Sequence, residues 1–113
     1  MEKEKTQQAQ TFDGGVTPEQ VEAWKNKHRK VYRVDIVDGA DTHIGYFKRP
    51  DFATIKAITK VAKTDEVEAG KVMFNNCWLG GSEELKEDAV LFMAVQVQLG
   101  KLVNGCMGSL KNL

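Results

Sequence analysis

The sequence predicts an α+β fold: one β-hairpin packed with three to four helices, the C-terminal part being mainly helical. Residues 31–37 (VYRVDIV) alternate apolar and polar side chains as a half-buried strand does. Residues 42–48 repeat that signal after the turn sequence Asp38-Gly39-Ala40-Asp41. From residue 52 to residue 103 apolar side chains recur at helical spacing, interrupted by glycine and by Thr64-Asp65. A length of 113 residues, 42% apolar and 28% charged, suits a single domain with a modest core.

Residues 1–16 are polar, with Gln7, Gln8 and Gln10 followed by Gly14-Gly15. Such a stretch buries too little apolar area to offset its ordering entropy, so a mobile tail is expected over 1–16 and one domain over 17–113. Phe12 is read as a lone exposed aromatic. Thr17-Pro18-Glu19-Gln20 then starts a helix: Thr17 caps, Pro18 fits the first helical position, and Gln20 completes a capping box. Val21, Trp24 and His28 share one face of it. Lys25, Lys27, Arg29 and Lys30 crowd its end, where they favour the helix dipole.

In the hairpin, Tyr32, Val34 and Ile36 point to the core and Arg33 and Asp35 to water, with Ile44 and Tyr46 as the inward pair of the second strand. A two-stranded hairpin is marginal alone, so it must pack on helices or pair its edge with another chain. Pro50 ends the strand and Asp51 caps a helix whose stripe is Phe52, Ile55, Ile58, Val61 and Ala62. Thr64 or Asp65 caps the next helix, with the stripe Val67, Gly70, Phe74, Cys77 and Trp78. There Phe74 and Trp78 are expected to pack on Phe52, Ile55 or Ile58. Gly70 marks a close helix approach, and Gly80-Gly81 a left-handed stop. Ser82 is the expected cap of a last long helix over 83–104. Its segment AVLFMAV is apolar nearly all round, which places this helix centrally or presses its outer face on a second protein. Residues 106–113 read as a frayed turn or a short docking segment.

The chemistry implied is that of a non-enzyme. No nucleophile–base set, phosphate loop, dinucleotide turn or metal-ligand spacing is present, so catalytic, cofactor-binding and metal residues are all expected to be absent. His28 and His43 lie too far apart in sequence to suggest a metal pair, and Asp38 to Asp41 lacks calcium-loop spacing. Cys77 reads as a core thiol, and both Cys77 and Cys106 as buried and reduced. Lys+Arg and Asp+Glu balance at 16 each, which supplies no field toward nucleic acid or an anionic membrane. The basic run KNKHRK is therefore read as a solvated helix end. No apolar run has the roughly 20 residues of a spanning helix, and the start lacks a signal-peptide core; a cytoplasmic protein is expected.

The run Tyr46–Pro50 (YFKRP), a helix, the charged junction Thr64–Glu66 and the run Asn76–Gly81 (NCWLGG) together resemble the small tail assembly chaperones of long-tailed bacteriophages and prophages. The resemblance spans about Lys30 to Leu113 and leaves the helix around Trp24 outside it. It implies a cytoplasmic morphogenesis factor of a bacterial host that binds the tape measure protein or tail-tube subunits. Adhesive surface is what such a factor needs, offered here by the hairpin edge and the over-apolar last helix. The partner-binding residues expected on them are Tyr32, Val34, Ile44 and Tyr46 of the hairpin and Phe92, Val95 and Leu99 of the helix. The alternative is a small adaptor or homo-oligomeric structural protein of unknown pathway, with these surfaces filled by the chain's own core or by a homodimer partner.

Overall fold

The computed structural model describes residues 8–113. The elements run β1 (Gln10–Phe12), α1 (Pro18–Lys27), β2 (Val31–Asp38), β3 (Asp41–Lys48), α2 (Phe52–Ala62), α3 (Glu66–Cys77), β4 (Trp78–Gly81), α4 (Glu84–Glu87) and α5 (Ala89–Val103). The fold is α+β, and its C-terminal part is helical.

The hairpin forms as read. β2 and β3 pair antiparallel from Val31↔Lys48 to Asp38↔Asp41, joined through Gly39 at positive φ. β3 is the central strand. Its far edge is shared by two short strands: β1 runs parallel against Asp41 to His43, and β4 antiparallel against Gly45 to Phe47. The opposite edge of the sheet is β2, which among the described residues pairs with β3 alone.

β3 is covered on both faces, which a simple inward–outward alternation misses. One face carries His43, Gly45 and Phe47 beside Val34 and Ile36 of β2, and it packs under α3, α4 and α5. The core there joins Phe47, Phe74, Cys77, Leu85, Val95 and Leu99, all essentially without solvent contact. Aromatic edges lock it. Phe47 meets Phe74 and Trp78 at 5.2 and 5.5 Å in T-shaped pairs, while Phe74 and Trp78 stack at 5.2 Å. The other face carries Ile44 and Tyr46, on which Trp24 of α1 rests at 5.6 Å.

Three local readings of the helices hold. Thr17 and Gln20 form the capping box, Asp51 caps α2 and Asp65 caps α3. Four others are corrected. First, part of the 1–16 stretch expected as a tail is a strand: Gln10 to Phe12 pair with β3 and Phe12 is half-buried (residues 1–7 lie outside the described residues). Second, α3 ends at Cys77, and Trp78 to Gly81 continue as β4 instead of stopping a helix. Glycine is required there because Gly81 sits at φ 138° where a Cβ would overlap the Ile44 carbonyl oxygen, and a Cβ on Gly80 would lie 2.9 Å from the Trp24 ring. Leu79 is the extra residue of a bulge opposite the Tyr46–Phe47 step.

Third, the last helix is broken. Ser82 does not cap it; Asp88 does, in an extended conformation, with one carboxylate oxygen accepting from the Val90 and Leu91 N–H groups at 2.9 and 3.0 Å. Fourth, Phe52 is 94% exposed. The inward stripe of α2 is Thr54, Ile58 and Val61, and at 100° per residue Phe52 falls on the opposite side. Phe74 and Trp78 accordingly pack on Phe47 and Phe92 rather than on Phe52.

Candidate functional site

Among the described residues, His43, Ser82 and Cys77 are built into the fold. His43 is buried, its Nδ1 2.9 Å from the Ser82 hydroxyl and 3.7 Å from a Glu84 carboxylate oxygen. Phe12 stacks on its ring. This cluster ties the β4–α4 junction to β3 and leaves the serine buried. Cys77 is buried, and desolvation pushes its thiol up to about 11. A thiol held that far from ionisation is a poor nucleophile. Cys106, expected inside, is exposed, with its sulfur 3.4 Å from an Arg49 guanidinium nitrogen. No group of three or more His, Cys, Asp or Glu side chains converges for a metal among the described residues. Nor is any helix among them long and apolar enough to cross a membrane.

What the fold leaves open is apolar surface on the helical layer. α5 seats Leu91, Val95 and Leu99 on the sheet. The i, i+3, i+7 set Val90, Met93 and Val97 points away from it, 78%, 54% and 64% exposed. Beside this stripe runs a groove between α3 and α5 of about 380 Å³, floored by Phe74 and Phe92 and walled by Val67 and Met93. Lys71 and Lys86 and the Glu87 side chain rim it. A second section of about 250 Å³ continues it past Gly70 to Gln96. Beyond that point a recess of about 280 Å³ opens toward α2, lined by Ile55, Ile58, Met73 and Val103.

Gln96 sits where these sections meet. A Cβ on Gly70 would lie 3.0 Å from its Oε1, so Gly70 makes room for the amide; the close approach expected at Gly70 is to this side chain. Among the described residues the Nε2 of Gln96 is buried without a hydrogen-bond partner.

The seven residues expected to bind a partner divide clearly. Val34, Ile44, Val95 and Leu99 are buried in this chain's own core, so their side chains are not available. Tyr46 is half-buried under Trp24. Tyr32 is half-buried on the edge strand β2, and Phe92 is brought into the groove. Sequence reasoning missed Val67, Val90, Met93 and Val97. The signal for two of them, Val90 and Met93, was present in AVLFMAV, whose apolar character was legible, but the phase of its outer face was not.

No family model and no curated protein matches the chain. Among solved structures, the chain is similar to an uncharacterised protein, rbstp2171, from Bacillus stearothermophilus, with a TM-score of 0.60 and 22% identity over 81% of this chain and 99% of that one. The likeness is one of fold.

Proposed function

We propose that the protein is a non-catalytic assembly factor that holds an amphipathic segment of a client protein in the α3–α5 groove. The observation that carries this reading is the exposed apolar stripe Val90, Met93 and Val97 beside an open groove walled by Val67. An apolar groove with charged rims suits a partner helix laid in by its own apolar face. Fully burying a Val or Met side chain contributes about 1.5–3 kcal/mol, and these are already partly covered, so each contributes roughly 1 kcal/mol on docking.

The resemblance carried by Tyr46–Pro50 and Asn76–Gly81 gives this reading its specific form. The protein is a tail assembly chaperone of a long-tailed phage or prophage, acting in the cytoplasm of a bacterial host. Its client is the tape measure protein or a tail-tube subunit. Co-expression with those two proteins, followed by affinity capture, tests it. Capture is expected with the wild type and persists in high salt, because apolar burial is not screened. Met93→Glu with Val97→Glu abolishes capture while leaving the melting temperature nearly unchanged. Capture unaffected by that double variant overturns the groove, and no capture of either tail protein overturns the chaperone assignment.

A further inference from the structure

We infer that the free edge of β2 pairs antiparallel with β2 of a second copy, about a two-fold axis at Val34, to give one continuous sheet across a homodimer. β2 is a long edge strand without proline or bulge, and among the described residues it pairs only with β3. Edges of this kind are normally blunted by such devices, because their open N–H and C=O groups recruit another strand. Here the side chains instead specify the recruit.

The stretch from Lys30 to Asp38, KVYRVDIVD, is complementary to its own reverse. With Val34 opposite Val34 of the other copy, Arg33 faces Asp35, Tyr32 faces Ile36, Val31 faces Val37 and Lys30 faces Asp38, each pair formed twice by the symmetry. Facing residues in an antiparallel pair must project to the same side of the sheet, so the register can slip only in steps that keep this parity. One step in one direction sets Arg33 against Arg33, and one step in the other sets Asp35 against Asp35. Like charges directly opposite are destabilising, so both slips are disfavoured.

The charges are already arranged for this. Arg33 and Asp35 project from the sheet face away from the core and form a two-pronged pair, Nε and Nη2 each 2.8 Å from a carboxylate oxygen. That contact holds the Asp35 carboxyl below its usual range. Adding the second copy places each carboxylate between two guanidinium groups, an alternating cluster of four charges at the axis. A single paired strand buries less area than stable dimers need, which is about 1,200 Å² and above. The two-fold axis stands perpendicular to the sheet, so both copies of α5 lie on the same side, each over its own β2. Their flanks approach across the axis and enlarge the contact, while the α3–α5 groove, on the other flank of α5, stays open.

Sedimentation equilibrium on the full chain tests the dimer. The wild type is expected to be a concentration-dependent dimer. Arg33→Asp alone and Asp35→Arg alone each set like charges opposite one another and weaken self-association by about tenfold or more. Mixing these two variants restores association as a heterodimer, and the double variant Arg33→Asp/Asp35→Arg restores it as a homodimer. Restoration in the mixture cannot come from a folding defect, since neither chain changes on mixing. A monomeric wild type overturns the inference, as does a dimer indifferent to the single charge reversals.

Discussion

Phe12 lies face to face on His43, ring centroids 4.9 Å apart and planes within 16°. The imidazole is held from its edge by the Ser82 hydroxyl and capped from above by a residue that arrives in β1. The N-terminal segment is thus fastened to the sheet by a side chain as well as by strand pairing. Phe12→Ala is expected to destabilise the protein by about 1–2 kcal/mol, less than a fully buried phenylalanine would. The midpoint of thermal unfolding should fall by roughly 5–10 °C. Deleting residues 1–13 should lower it at least as far, and an unchanged midpoint would refute the role given to this contact.

Two phenylalanines, one in the aromatic cluster and one outside it, give a contrast. Phe74→Ala removes a ring packed against Phe47, Trp78 and Phe92, and is expected to cost about 3–5 kcal/mol. Phe52→Ala removes a ring in water and should stay within about 0.5 kcal/mol of wild type. Urea unfolding of both variants checks the pair; equal costs would contradict the facing of α2.

The cap expected at Ser82 is supplied by Asp88. Asp88→Ala leaves the Val90 and Leu91 N–H groups without their acceptor and should cost about 1 kcal/mol. Asp88→Asn, which keeps an acceptor oxygen, should recover most of it. In Ser82→Ala the lost partner is His43, not a helix terminus, so the circular dichroism of α5 should be unchanged.

Cys77 confers an alkaline sensitivity. Its thiol pKa is raised to about 11 by burial, above the 9.0 of an exposed thiol, so the unfolded chain loses this proton first. The contribution of the neutral thiol is fully present below pH 9 and disappears as pH rises toward 11. Unfolding midpoints measured across that window should fall more steeply for wild type than for Cys77→Ala. In the native protein iodoacetamide should label the exposed Cys106 alone.

The sequence showed what depends on neighbours within a turn or a hairpin. The Thr17–Gln20 box, the Asp51 and Asp65 caps and the alternation of β2 are all of that kind. It did not show what depends on distant partners. Gln10 to Phe12 are too few to signal a strand, and their pairing with β3 crosses some thirty positions. Gly80-Gly81 satisfies a helix stop equally well until Trp24 and the Ile44 carbonyl are brought against it. Ser82 and Asp88 both precede helix-forming residues, and only the buried His43 draws Ser82 away. For the candidate surface, AVLFMAV is apolar nearly all round, so the buried Leu91 and Val95 were indistinguishable from the exposed Val90 and Met93.

The divided far edge of β3 has a dynamic consequence. β4 is continuous with α3 through the chain and anchored by the Trp78 ring, and just beyond it the Ser82 N–H reaches the Ile44 carbonyl at 2.9 Å. β1 is held by three register positions and one aromatic contact. The two halves of that edge therefore open independently, the β1 half at a small fraction of the free energy of global unfolding. Amide protons bonded between β1 and β3 are expected to exchange with solvent through this local opening, ahead of those bonded between β3 and β4. One edge of a single strand thus carries a faster and a slower exchanging ladder, divided at Ile44.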